Sequence, residues 1–280
     1  MKLALSTLLL FLATPLPAHA APGLPFTWPD GRKAAVSLAY DDGLDSQLDH
    51  PIPALDRHGF KASFYLPLSR DEVWRRIDEW WRAARDGHEL GNHTLFHQCS
   101  GSLPDRDWVE PQRDLDTTSA EQMRDQVLLA NTLLHALDGR SRRTFTVPCG
   151  DAMAAGQDYV APVAPAFAAI KLGDGALVDD MQALDLAAVP FEAPVGVDGR
   201  YLIDRVEQGA RRGTLVSLTF HGIGADYLAV STDAHGALLD HLAAHRDIYW
   251  VATFDEIARY IRQQRAEADT DAAQAAGPLP

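Results

Sequence analysis

The chain is punctuated by short apolar runs, most of which stop at polar or turn-forming residues. The clearest is 34–40 (AAVSLAY), which halts at Asp41-Asp42-Gly43. Further runs fall at 62–66, 88–90, 144–147, 169–172, 187–192, 215–220 (LVSLTF) and 248–253. Runs of this length bounded by turn signals read as buried strands. The intervals carry helical patterns at 46–58 (interrupted by Pro51 and Pro53), 71–86, 119–138, 159–169, 200–212, 233–245 and 254–265. Strand and helix alternate without an internal boundary, which predicts parallel βα units in one α/β domain. About seven such units close a barrel.

Two of the helical segments are specific. In 119–138, Ser119 is placed to cap a helix on which Met123, Val127, Ala130 and Leu134 recur at helical spacing. In 71–86, Val73, Trp74, Ile77, Trp80 and Trp81 form a stripe that reads as core packing rather than a sugar platform. The stretch 99–118 is rich in Gly, Pro and Asp and reads as a long loop, a type often functional. The tail from Ala266 (266–280) is rich in Ala, Asp and Gln and is expected to be disordered.

The N-terminus carries an address. Lys2, an apolar run at 3–12, Pro15 and Pro17, and Ala18-His19-Ala20 form the three regions of a secretory signal peptide, with cleavage expected after Ala20. The run is about half the roughly 20 residues that span a bilayer, so no membrane span is expected in the mature protein. The expected organisation is a signal peptide at 1–20, an N-terminal extension at 21–31 and one catalytic domain at 32–265, in a secreted or periplasmic protein. The net charge is −14, from 39 acidic and 25 basic residues. Such a surface repels phosphate backbones and anionic lipid, which argues against nucleic-acid partners. In an oxidising compartment the two cysteines, Cys99 and Cys149, can pair; the alternative is two free buried thiols.

Chemistry-bearing residues cluster near the strand ends. His93-Thr94-Leu95-Phe96-His97 follows the 88–90 strand. Read as the start of a helix at Asn92-His93-Thr94, it places two imidazoles one turn apart, able to grip one cation. Asp41 and Asp42 end an apolar strand, where parallel α/β folds place their sites; the plainer reading is an Asp-Asp-Gly turn. Neighbouring strand residues point to opposite faces, so both carboxylates reach one site only if the chain turns at Gly43. His221 ends the 215–220 strand. Together these supply a carboxylate and two imidazoles for a metal, a spare carboxylate as base and a spare histidine as acid. Three protein ligands with an open position match a catalytic zinc site. A two-metal phosphoesterase would need more His and Asp ligands than the single HxxxH cluster provides.

The segments AYDDG (39–43), GHELGNHTLFH (87–97), TFTVPCG (144–150) and LVSLTFHG (215–222) together resemble the ordered motifs of the polysaccharide deacetylases, the NodB-homology domain or carbohydrate esterase family four. The resemblance extends over about 32–262. It implies a distorted (β/α)7-type barrel in a single domain. It implies Asp42, His93 and His97 as ligands of a divalent metal, zinc or else cobalt, nickel or manganese. It further implies Asp41 as general base, His221 as general acid, and an oxyanion-binding turn at Pro148-Cys149, where the Cys149 N–H holds the oxyanion. The implied reaction removes acetyl groups from an N-acetyl amino sugar or an O-acetylated polysaccharide. The alternative is a carbohydrate-binding protein on the same fold without turnover. Secreted branches with PCG and HxxxHxC fit a Cys99–Cys149 bridge. Two departures stand out. Thr146 occupies the place of an arginine that positions the base, and the fourth motif has only Asp174 and Asp185 as candidates. Trp108, in the 99–118 loop, reads equally as a sugar-stacking platform or as loop packing.

Overall fold

The structure is a computed structural model in which residues 26–276 are described. The expected signal peptide and residues 277–280 lie outside the described residues. The chain runs β1 (Ala34–Asp41), α1 (Asp45–Asp49), α2 (Pro51–Arg57), β2 (Ser63–Leu66), α3 (Asp71–Arg75), α4 (Ile77–Arg85), β3 (Glu89–Asn92), α5 (Ala120–Asp138) and β4 (Phe145–Thr146). It continues through a small hairpin, β5 (Met153–Ala154) and β6 (Gln157–Asp158), then α6 (Val160–Val163), β7 (Ile170–Asp174) and β8 (Val189–Phe191). The last third is α7 (Gly199–Arg212), β9 (Leu215–Phe220), α8 (Thr232–Ala244), β10 (Tyr249–Ala252) and α9 (Phe254–Ala276).

Seven strands make the barrel wall in the order β1-β2-β3-β4-β7-β8, with β9 returning to β1. Every pairing in this wall is parallel. A single bridge from Glu192 to Leu218, just past β8, nearly closes the ring against β9. β1 is the hub: one edge pairs with β9 along its length, while the other is shared between β10 and β2. This is a distorted, nearly closed parallel barrel ringed by helices.

The two faces of β1 are chemically distinct. Val36, Leu38 and Tyr40 lie level with Val216, Leu218 and Phe220 of β9 and pack outward against the buried leucines of α7 and α8. Ser37 and Ala39 lie level with Ser217 and Thr219 on the opposite face. That face lines a narrow lumen, and small side chains leave room there for two buried charges, Lys171 and Glu89. Each Glu89 oxygen is fully engaged. Oε1 accepts from the Thr144 N–H and hydroxyl, at 2.9 and 2.6 Å. Oε2 accepts from the Ser63 hydroxyl at 2.6 Å and the Asp255 N–H at 3.1 Å. The last bond puts a carboxylate at the N-terminus of α9, which the helix dipole favours, and α9 thereby plugs the lower end of the barrel.

Three expectations need correction. The 71–86 segment is two helices broken at Arg76 (φ −116°), whose guanidinium bonds Asp49 and Glu79, each at 2.7 Å. Trp80 is fully buried, but Trp74 and Trp81 are 47% and 42% exposed, so the stripe is only partly core. The stretch from Ala266 expected to be disordered is helical to Ala276, because its alanines carry the lowest helix cost of any residue. Among the described residues, no helix is long and apolar enough to cross a membrane.

Two tests follow from the packing. Gly91 lies level with Tyr65, and a Cβ there would sit 2.3 Å from the ring. Gly91→Ala is expected to destabilise the fold by about 1–3 kcal/mol, read by thermal unfolding; an unchanged Tm would contradict this packing. His88 and His235 are held neutral. Burial pushes both down to about 4. His88 Nδ1 accepts from the Ala62 N–H at 3.2 Å, and His235 Nε2 accepts from the Tyr40 hydroxyl at 2.6 Å. Between about pH 6.5 and 4 the unfolded chain binds protons that the fold refuses, so stability falls as pH is lowered through this window. The slope is expected to approach about 1.4 kcal/mol per pH unit for each histidine in urea titrations. His235→Gln should flatten it.

Candidate metal centre and active site

The end of β1 turns sharply. Asp42 has φ 80° and Gly43 φ 62°, so the strand alternation breaks and both carboxylates face the barrel mouth. A Cβ on Gly43 would lie 2.8 Å from Val73 Cγ2, which, with the left-handed backbone, reserves the position for glycine. Gln47 fixes the turn from α1: its amide donates to the Asp41 carbonyl and, at 3.2 Å, to that of His221.

His93 and His97 do not stand on a helix. β3 ends at Asn92, and the HTLFH segment is an irregular loop in which Thr94 (φ 64°) and His97 (φ 50°) are both left-handed. Side-chain bonds replace the helical ladder. Asn92 Oδ1 accepts from the Thr94 N–H at 2.7 Å, and Thr94 Oγ1 accepts from the His97 N–H at 2.9 Å. The Asn92 amide also donates to the Val127 carbonyl and to Asn131 Oδ1, clamping the loop to α5. The loop still brings the imidazoles together, with ring centroids 4.7 Å apart. A disulfide joins Cys99 to Cys149 and so ties this loop to the Pro148-Cys149-Gly150 turn. In that turn Cys149 has φ 58°.

Asp42, His93 and His97 converge. Asp42 Oδ1 lies 3.5 Å from His93 Nε2 and 3.1 Å from His97 Nε2. A tetrahedral zinc with bonds of about 2.0–2.1 Å separates its ligand atoms by about 3.3 Å. His93 Nδ1 donates to the Thr146 carbonyl at 2.8 Å, and burial pushes the ring down to about 4. The neutral ring therefore presents an Nε2 lone pair to Asp42 Oδ1, a buried oxygen with no hydrogen-bond donor. One carboxylate oxygen and two imidazole nitrogens thus converge on one point, and the donor set fits a divalent metal.

The remaining polar groups frame this point. Burial alone would push Asp42 up, but the two imidazoles outweigh it and hold the carboxyl well below the usual range. The Tyr227 hydroxyl donates to Asp42 Oδ2 at 2.8 Å and accepts from Arg70 at 2.8 Å. His221 Nε2 lies 3.9 Å from Asp42 Oδ2; burial pushes the ring down, and its Nδ1 has no partner. Asp41, adjacent to Asp42 and also buried, is pushed well above the carboxylate range by burial, with Lys171 opposing that rise and Asp42 adding to it. These groups line one cavity of about 1020 Å³ that also includes Cys149, Asp174 and Trp108. Asp185 instead accepts from the Ala187 N–H in a local turn. Trp108 is 58% exposed on the rim, with Arg106 over its ring at 5.7 Å.

Tyr227, Arg70, Gln47 and Lys171 escaped sequence reasoning. Only Lys171 left a signal, as a lone charge inside an otherwise apolar run.

Comparison with known proteins places this geometry. A family profile described as Polysaccharide deacetylase matches residues 29–161, which takes in the first three motifs. A Bacillus cereus peptidoglycan-N-acetylglucosamine deacetylase is 27% identical over 137 residues, 45% of this chain and 44% of that one. A Bacillus gellan lyase is 25% identical over 123 residues, 44% of this chain and 4% of that one. The matches thus span less than half the length of either relative. Among solved structures, a Mycobacterium smegmatis protein described as a polysaccharide deacetylase superposes with TM-score 0.57 at 15% identity, covering 88% of this chain and 96% of that one. A CE4-family pseudoenzyme from Bacillus anthracis superposes with TM-score 0.52 at 17% identity, covering 82% and 66%. Motifs, barrel and matched profile point the same way: over residues 29–161 the chain is similar to the polysaccharide deacetylases, and it shares the fold of solved structures described as such.

Proposed function

We propose that this chain is a metal-dependent hydrolase that removes acetyl groups from carbohydrate. The observation that carries this reading is the meeting of two carboxylates and three imidazoles in one cavity at the C-terminal mouth of the barrel. Asp42, His93 and His97 would hold the cation, zinc by donor type, with cobalt, nickel or manganese as substitutes. A cation bound there would polarise the acetyl carbonyl and acidify water. Asp41 accepts the proton of the attacking water. The N–H of Cys149, presented by the left-handed turn after Pro148, donates to the oxyanion. His221, which lines the same cavity, protonates the departing amine or alcohol. A base and an acid in one pocket supply the two proton transfers that hydrolysis needs.

The substrate is an acetylated oligo- or polysaccharide. A cavity open at one end, with the exposed face of Trp108 on its rim, suits a sugar ring stacked on an aromatic. Residues 32–265 form the catalytic domain, exported by the N-terminal signal. A second reading, carbohydrate binding without turnover, draws on two features: His221 Nδ1 has no partner to orient the ring, and Thr146 stands where the family carries arginine. The Bacillus anthracis pseudoenzyme marks that the fold is compatible with lost activity.

Zinc-loaded protein is expected to release acetate from at least one member of a panel of N-acetylglucosamine oligomers, peptidoglycan and O-acetylated xylan. Asp41→Ala should lower kcat by about 100-fold or more with little change in KM. No acetate from any panel member would end the hydrolase reading in favour of binding. Calorimetric titration of metal-free protein should show uptake of a single zinc ion. His97→Ala should weaken that uptake by more than about 100-fold, a larger loss than for groups that only support a ligand. Saturating zinc, at about 100 times its Kd, should stabilise the wild type by about 2.7 kcal/mol in thermal unfolding.

A further inference from the structure

On the hydrolase reading, Asp41 must be ionised to accept a proton, yet it is buried beside a second carboxylate. The residue at the family's arginine position, Thr146, carries no charge. Thr146 lies level with Lys171 on the neighbouring strand, β4 against β7. Level residues on adjacent parallel strands point to the same face, about 4.8 Å apart. The cation missing from β4 is therefore present one strand over.

Lys171 is fully buried in the lumen, and Nζ donates across it to Thr219 Oγ1 at 3.2 Å. The ammonium also lies 5.5 Å from the Tyr65 ring centroid and 5.0 Å from that of Phe254. One neutral hydrogen bond and two ring faces do not balance a buried charge; a carboxylate is required. Two carboxylates act on it through space, Asp41 and Glu89, though neither makes an ion pair with Nζ. Glu89 already accepts four hydrogen bonds from other groups. Asp41 Oδ1 is buried without a hydrogen-bond partner. The carboxylate with unused acceptor capacity is the one proposed as base.

We propose that Lys171 is the positioning residue for Asp41: from β7 it supplies the charge that the family's third motif supplies from β4, and holds the base aimed at the water. This inference rests on the hydrolase reading. It also accounts for the pairing of Thr146 with Lys171, since an arginine at 146 would crowd the same part of the lumen. Burial pushes Lys171 down to about 8, and Asp41 and Glu89 keep it from falling further.

The test is Lys171→Met, which keeps the length and volume of the side chain without its charge, in zinc-loaded full-length protein. On the best panel substrate, kcat is expected to fall about 10–100-fold with KM and zinc stoichiometry unchanged. The double variant Lys171→Met/Thr146→Arg, which returns the cation to β4, is expected to recover at least tenfold of that loss. In a crystal structure of Lys171→Met, the Asp41 carboxylate should turn away from its wild-type position. Wild-type kcat in Lys171→Met would overturn the proposal. So would a loss of kcat accompanied by loss of zinc and not recovered by Thr146→Arg, since that pattern marks a structural role. A wild type inactive on the whole panel would overturn the hydrolase reading alone. The Asp41 position in the Lys171→Met crystal would then decide, and an unmoved carboxylate would overturn the proposal.

Discussion

Two adjacent carboxylates in a buried pocket cannot both stay ionised unless each finds its own compensation. Much of this barrel is arranged around that constraint. The left-handed turn at Asp42 separates the pair. Asp42 faces the imidazoles, Arg70 and Tyr227 at the mouth, while Asp41 is served from the lumen side, where Lys171 lies. A charge in the lumen demands space, hence the small residues Ser37, Ala39 and Ser217 on the inner face. It also demands a counter-charge below, hence Glu89. Glu89 in turn is held by Ser63, Thr144 and the first turn of α9, so the plug at the bottom of the barrel and the charge balance at the top belong to one polar column.

The fold was readable because buried parallel strands leave continuous apolar runs, and helices between them keep a 3.6-residue rhythm. The capping of α5 by Ser119, with Gln122 answering back, is likewise visible in sequence. What misled was spacing without context. His93 and His97 are four apart, as on a helix, yet Asn92 and Thr94 offer the backbone side-chain partners that outcompete helical bonds, and the segment folds as a loop that still brings the rings together. The C-terminal tail misled in the opposite sense, since a polar, alanine-rich composition suggested disorder where the residues favour helix. The contributions of Arg70, Tyr227 and Lys171 depend on long-range packing of separate elements, which no local pattern encodes.

Likeness and chemistry rest on different observations. The barrel and the profile match over residues 29–161 show what the chain is similar to. The relatives include an N-acetylglucosamine deacetylase and, on the same fold, a pseudoenzyme. Fold therefore does not decide turnover; the residues of the site do. On the proposal for Lys171, a displaced cation would let a chain that departs from the deacetylases' third motif keep the same electrostatics, because a barrel presents several strands to one lumen.

The Cys99–Cys149 disulfide has a consequence for fluctuation rather than for geometry. It closes a loop with a sequence separation of 50, which in the chain-entropy account is worth about 4 kcal/mol against the unfolded state. The cross-link falls two residues after His97 and within the Pro148-Cys149-Gly150 turn. Partial openings of the His93–His97 loop are therefore coupled to that turn, and hydrogen exchange in the two segments is expected to report one cooperative unit. The two halves of the pocket that the disulfide joins are expected to open together or stay closed together.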